Sequence, residues 1–339
     1  MIVKINTNKI LLENDLVFIK LNNSFIQNLR KSLIRKYKSL RNYNEKILKI
    51  NYTTLKYGFL YAKYHNFQRF YKITQDLDID KDDFFQNIEA FKSWGSRRKE
   101  LLYLPIEIEI DEFFVEGYAL YLAEGDTGFN GKTIPSKLRF TNSNLGVIKY
   151  FINWINRYFP NNYFYLNIII PNGIDVKEDF VDVVKVYTGL DKRQIKITKD
   201  FYNKQIKYRV CFDRAIVINL ILKIEESIKK AARADEKLAR AYIRGMMIGE
   251  GTAYFNKSRY VRIEMRNEKE IKYLYNLFQV LGYDCKPSLR SERINMWSIY
   301  IGAKQLEKFY NEIGFGIHQP RQEILEKAVN KKLRINQYV

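Results

Sequence analysis

Two carboxylates are placed as if for chemistry rather than for solubility. Glu124 closes the stretch GYALYLAEG, Gly117 to Gly125, and Glu250 closes IRGMMIGEG, Ile243 to Gly251. Each follows a run suited to burial in a helix, and each stands directly before a glycine. Small residues recur four apart in both stretches, Ala119 and Ala123 in the first, Gly245 and Gly249 in the second. That spacing puts them on one helix face, and two faces without bulk let two helix backbones approach closely. If the helices pack on each other, Glu124 and Glu250 end up together. Two carboxylates at about 4 Å repel by roughly 4 kcal/mol at an effective dielectric of 20. Such a pair calls for a shared proton or a divalent cation. A few hard oxygen donors suit magnesium, which keeps several waters and accepts substrate phosphates as further ligands. Bridged to a scissile phosphate, the ion would activate water and stabilise the leaving oxygen. A single glutamate at a helix end commonly does no more than cap or solvate it; the repetition of the small-residue stripe, the acid and the glycine favours the functional reading.

The elements that must hold these helices repeat as well. After the first stretch, Leu138 and Phe140 alternate with Lys137, Arg139 and Thr141 as a half-buried strand with a basic outer face. NLGVIKYFINWINRYF reads as a helix, YFYLNIII as a strand, VKEDFVDVVKVYTGL as a helix, RQIKITKD and KYRVCFD as two strands joined by a Lys-rich turn, and AIVINLILKIEESIKK as a last helix. Around the second stretch, DEKLARAYIRGMMIGEG is helical and RYVRIEMRN is a strand with Val261, Ile263 and Met265 on one face and Arg262, Glu264 and Arg266 on the other. NEKEIKYLYNLFQVLGY is a helix closed by Gly282, CKPSLRSER and INMWSIYIG form a hairpin, and KQLEKFYNEIG closes the unit. The fold class expected is α+β, with an internal duplication over residues 105–230 and 231–339. Residues 1–104 read as a mainly helical N-terminal domain, beginning with SFIQNLRKSLIRKYKSL and ending with a helix around DDFFQNIEAFKSWG. Its short helices, with Arg69 and Lys72, are compatible with a helix-turn-helix reader of DNA. SRRKELLYLPIEIEID is the bridge, with Pro105 breaking helix and Asp111 placed as an N-cap.

Composition narrows the partner. The 339 residues carry 58 Lys plus Arg against 38 Asp plus Glu, a net charge of +20, which favours a polyanion. No long apolar span is present, so nucleic acid comes before a membrane. An apolar fraction of 46% and an aromatic fraction of 15% allow extensive cores and aromatic stacking on bases. Two cysteines, Cys211 and Cys285, and two histidines, His65 and His318, are too scattered for a zinc finger, a CxxC redox pair or a histidine-metal nuclease. The opening MIVKINTNKILLEND lacks the order of a signal peptide, so an intracellular protein is expected.

The two nonapeptides and the element order after each resemble the LAGLIDADG homing endonucleases in their single-chain, two-motif form. The resemblance covers about residues 105 to 330, and GFGIHQPRQEILEKA is similar to the family's closing segment. It implies two pseudo-symmetric αββαββα repeats whose four-stranded sheets form a saddle on the major groove of double-stranded DNA. It implies a monomer that cuts a long, non-palindromic site, with Glu124 and Glu250 as ligands of catalytic magnesium. A basic residue near the end of each repeat's last strand assists: Lys304 in the second copy, with Arg214 the nearest match in the first. The outer-face residues Lys137, Arg139, Lys207, Arg209, Arg262, Arg266, Lys286 and Arg290 are then DNA contacts. Ala119 departs from the family's first glycine, and Glu replaces Asp in both motifs, which keeps the ligand. The longer first repeat and the N-terminal domain resemble relatives that bind DNA as regulators without cutting. An intron RNA maturase is a third reading, and whether the chain is intron-encoded or free-standing is left open.

Overall fold

The computed structural model describes residues 3–14, 16–93, 101–126, 137–291 and 293–335, the last five without their side chains. The chain opens with β1 (Val3–Asn6), α1 (Thr7–Leu12), β2 (Val17–Leu21), α2 (Asn23–Tyr37), α3 (Leu40–Tyr43), α4 (Tyr52–Leu60), β3 (His65–Asn66), α5 (Phe67–Asp76), α6 (Lys81–Gln86) and β4 (Ile88–Ser93). This region is less purely helical than its sequence suggests. Val17, Ile19 and Leu21 alternate with half-buried neighbours, and β2 becomes the centre of an antiparallel sheet ordered β3-β2-β4. The helix expected over DDFFQNIEAFKSWG stops at Asn87, and Ile88–Ser93 pairs with β2 instead. Phe67, Phe84, Phe85 and Phe91 cluster beneath the helices. Of the expected bridge, residues 96–100 lie outside the described residues. Its remainder forms β5 (Glu107–Ile110), which pairs antiparallel with β1, Val3 opposite Ile110.

The first half continues with α7 (Glu112–Glu124), β6 (Gly125–Asp126), β7 (Leu138–Asn142), α8 (Leu145–Tyr158), β8 (Tyr165–Pro171), α9 (Phe180–Thr188), β9 (Ile195–Asp200), β10 (Lys207–Phe212), α10 (Ala215–Lys223) and α11 (Glu225–Ala234). Asp111 caps α7 by accepting from the Phe114 amide, as its sequence position predicts. The expected single last helix is divided at Ile224. The second half contains α12 (Glu236–Glu250), β11 (Gly251–Phe255), β12 (Arg259–Met265), α13 (Glu268–Val280), β13 (Pro287–Leu289), β14 (Trp297–Gly302), α14 (Leu306–Glu312) and α15 (Gln319–Ile335).

The second sheet has four strands, β11-β12-β14-β13, and the first has the same order with one addition, β6-β7-β10-β8-β9. The expectation of four strands in each half is corrected here. RQIKITKD and KYRVCFD are both strands, but they do not pair with each other. β9 lies parallel to β8 at the edge, reached through the crossover helix α9 that a parallel connection requires. In both sheets one face is packed by helices, with Leu138, Phe140 and Val210 or Val261, Ile263 and Ile299 fully buried. The opposite face carries the polar residues of the alternation.

Candidate active site at the helix crossing

Helices α7 and α12 meet along their small residues. A Cβ on Gly245 would lie 2.2 Å from the Glu116 carbonyl oxygen and 2.9 Å from the Ala119 Cβ. A Cβ on Gly249 would lie 2.5 Å from the Ala123 Cβ and 3.1 Å from Glu124 Cγ. Only glycine permits either approach without displacing the facing backbone. The four residues singled out by spacing, Ala119, Ala123, Gly245 and Gly249, thus face one another across the crossing. The two helices also end alike. Gly125 and Gly251 have φ/ψ of −80/155 and −80/156, and their amides donate to Tyr121 and Met247. Each last turn therefore delivers its glutamate in the same way. A polar tie crosses the seam higher up, where Arg244 Nη1 donates to Glu116 Oε2 at 3.0 Å.

The charge of Glu250 reaches Glu124. Glu124 is half-buried, and burial first and the charge of Glu250 second push its carboxyl up to about 7. Glu250 is the more exposed of the two, and partial burial of its stem raises its carboxyl as well. The opposing influence comes mainly from a residue that the sequence reading missed. Arg321, in the first turn of α15, donates to the Gly249 carbonyl at 3.0 Å, to that of Met247 at 3.2 Å and to that of Ile248. The Gly251 amide already donates to the Met247 carbonyl, and the carbonyls of Ile248 and Gly249 lie in the last turn of α12, where a cation is favoured. From there the Arg321 charge lowers both glutamates, and their charges support its own protonated state against burial. Nothing in the spacing of QPRQE announces this role; it needs the return of α15 against α12 and β11.

Of the basic candidates, Lys207 begins β10 near enough to Glu124 to lower its carboxyl. Arg214, the first-half match for an assisting residue, is buried at the start of α10. Lys304 is exposed, in a single 3-10 turn after β14. The pairing of Phe140 with Gly125 and Val210, and of Ile263 with Gly251 and Ile299, makes Val210 and Ile299 equivalent. Counting forward equally from these, Lys304 falls opposite Ala215, so its place in the first half holds no charge.

Of the eight residues expected on the outer faces, Arg139, Lys207, Arg209 and Arg262 lie within strands and Lys137, Arg266, Lys286 and Arg290 directly flank one; several have neighbours already. Arg139 forms a two-pronged pair with Asp213, both contacts 2.9 Å, and Arg209 Nε donates to Thr141 at 2.9 Å. On the second sheet Glu264 gathers Arg262 at 3.2 Å, Arg293 at 3.6 Å and Arg290. Lys137, Lys207, Arg266 and Lys286 stand at strand ends, Arg266 and Lys286 exposed. Tyr254, Tyr260 and Tyr300 stack in a row across β11, β12 and β14, with ring centres 4.9 and 4.7 Å apart. Every second residue of those strands is a tyrosine or a polar side chain, a signal that was available in the sequence. Among the described residues no cluster of three His, Cys, Asp or Glu side chains could enclose a metal by itself, and no helix is long and apolar enough to cross a membrane.

No family model and no curated protein matches the sequence. Solved structures similar to it include I-DmoI in complex with DNA and manganese, at 15% identity and a TM-score of 0.38 over 61% of this chain and 98% of that one. They also include I-WcaI bound to its DNA recognition sequence, a homing endonuclease, at 14% identity and a TM-score of 0.36 over 60% and 81%. A third is the N-terminal LAGLIDADG domain of DUF199/WhiA, at 14% identity and 0.35 over 60% and 82%. The likeness to LAGLIDADG proteins read from the two nonapeptides is thus met again among solved structures.

Proposed function

We infer that this protein is a divalent-cation-dependent, site-specific double-strand DNA endonuclease of homing type, acting as a monomer whose two halves each supply one carboxylate. The observation that carries the reading is the crossing of α7 and α12, packed so closely that a Cβ on Gly249, the residue before Glu250, would come within 3.1 Å of Glu124 Cγ. Two glutamates, with no third acidic partner among the described residues, fit magnesium, which completes its shell with water and phosphate oxygens. Bound there, the cation would supply Lewis-acid polarisation and a more acidic water.

The remaining steps belong to the chain. Glu124 and Glu250 would hold the cation, one carboxylate from each half. Arg321 keeps the last turn of α12 in place through its carbonyls. Lys207, beside Glu124, is placed to stabilise charge developing on a phosphate in the first half, and Lys304 is assigned the corresponding water-polarising role in the second. The outer-face arginines, steadied by Asp213, Thr141 and Glu264, meet phosphates and base edges in fixed orientations. The second reading is a DNA-binding regulator that does not cut, favoured by Arg321, which lets the carboxylate pair exist without a metal.

The test is cleavage of pooled genomic and intron-flanking duplexes with magnesium and then with calcium, comparing the parent with the Glu124→Gln, Glu250→Gln double variant. Discrete magnesium-dependent cuts should disappear in the variant, a loss of at least about 100-fold, while specific duplex retention stays within a few-fold. Specific retention without cuts in either protein sinks the endonuclease and leaves the regulator.

A further inference from the structure

The N-terminal domain holds a surface that the saddle does not use. Helix α2 ends at Lys38, whose φ of 68° turns the chain sharply, and Ser39 caps α3 by accepting from the Asn42 amide. A wider-turn helical segment, Asn44–Leu48, extends α3 to Lys49, again at positive φ, 52°. The next helix starts three residues later. Asn44 is buried and locks this turn from inside, donating to the Ile50 carbonyl at 2.7 Å and accepting from its amide at 3.3 Å. Asn51 then caps α4 through the amides of Thr53 and Thr54.

Helix α4 is held by one side only. Leu55 and Phe59 are buried, Phe59 against Phe70 with ring centres 5.2 Å apart. On the opposite side Thr53, Thr54, Lys56 and Tyr57 are exposed, Tyr57 at 57%. At nine residues the helix is roughly 13 Å long, a segment that the major groove admits. The chain from α2 into α5 is strongly basic. Between residues 23 and 72 there are twelve Lys and Arg and a single acid, Glu45, which pairs with Arg41. Lys46 and Lys49 lie exposed on the turn into α4, where flanking phosphates would lie if the helix entered a groove.

The geometry points to α4 as a second, independent reader of double-stranded DNA: Thr53, Thr54 and Tyr57 contact base edges in a major groove beside the saddle's site, and Lys46, Lys49 and Lys56 clamp its phosphates. Arg69, suggested earlier by its sequence position, is partly buried on α5 and lies outside this surface. The proposal rests on the saddle also binding the same duplex, and it adds a flank of defined sequence to the target.

The experiment uses the full chain carrying Glu124→Gln, in calcium, to select duplexes from a random-sequence library, followed by hydroxyl-radical footprinting on the winners. The same is done with Thr53→Ala, Lys56→Ala and Tyr57→Ala added together, all exposed positions whose folding is checked by thermal melting. The parent should protect a centre and one flank. The triple variant should keep the central protection, lose the flank and its sequence preference, and bind at least tenfold more weakly. Lys46→Ala with Lys49→Ala should instead lower the salt slope by about 2, near 0.9 for each lost phosphate contact, without changing the preferred flank sequence. An unchanged footprint and unchanged flank preference in the triple variant overturns the assignment, as does equal competition by polyglutamate and duplex for the flank contact. Flank protection in the parent without any central protection would sink the saddle and leave α4 standing; selection of no duplex at all overturns both.

Discussion

The two halves of the duplicated region share their inner architecture and differ on their outer surface. Helices α7 and α12 end in nearly identical backbone angles, and both sheets place the strand after the motif at one edge in the same antiparallel register. Outside that frame they diverge. The first sheet has the added parallel strand β9, with Phe201 and Tyr202 just beyond it exposed at 78% and 95%. Its Arg139 pairs with Asp213, whereas the second gathers three arginines around Glu264 beside a row of tyrosines. The frame is fixed by packing, in which a backbone contact such as Gly245 on Glu116 tolerates no added atom. The outer face meets solvent, where side chains can change at little energetic expense. Two halves with one geometry and two surfaces suit a partner with local twofold shape and unequal sequence.

The strongest way to break this equivalence is at the crossing. Gly245→Ala should destabilise by about 2–4 kcal/mol, because its Cβ meets backbone rather than a movable side chain. Ala119→Gly, at the equivalent position of α7, should cost only about 1 kcal/mol from helix propensity. Urea unfolding of both variants measures the contrast, and equal losses would show that the seam is not as tight on the α12 side as its geometry requires. On the outer face, Glu264→Ala should loosen the second sheet's arginines together and tighten binding to random duplex by about three- to tenfold at low salt, with a steeper salt dependence. Asp213→Ala, which affects Arg139, should give a smaller gain. Fluorescence anisotropy on a random-sequence duplex separates the two, and the reverse order would mean that the first sheet carries the greater share of backbone contact.

The last effect is in pH. A carboxyl raised by folding keeps its proton where the unfolded chain has lost it, so the folded state binds more protons and stability falls as pH rises. For Glu124 that window runs from the ordinary glutamate value, 4.5, to about 7. Thermal melts in a chelator should decline across it, and Glu124→Gln should flatten the curve more than Glu250→Gln, since Glu250 is the more exposed. A curve equally steep in both variants would place the linked proton elsewhere.

What could be read in the sequence was what is local. Ala119, Ala123, Gly245 and Gly249 lie within two helical turns, so their spacing alone gives the face they share. The alternation in RYVRIEMRN likewise reports its own strand and its own outer side. Pairing partners are not local: RQIKITKD is legible as a strand, while its place parallel to β8 depends on the crossover through α9. The same holds for β2, whose alternation is clear only once β3 and β4 flank it. Arg321 was hidden because its partners are carbonyls, which every residue has, more than seventy positions earlier in the chain. The first-half counterpart of Lys304 could not be read either, because the register that sets Ala215 opposite it requires both sheets to be assembled.

The pairing of β1 with β5 has a mechanical consequence. β5 runs through Asp111 straight into α7, and α1 packs on α10 while Lys223 reaches Glu13 at 3.3 Å. The first strand of the chain is thereby laced to the root of the helix that ends in Glu124. A pull on the N-terminal domain arrives at that root as shear along four paired residues, the geometry in which hydrogen bonds share a load instead of parting one at a time.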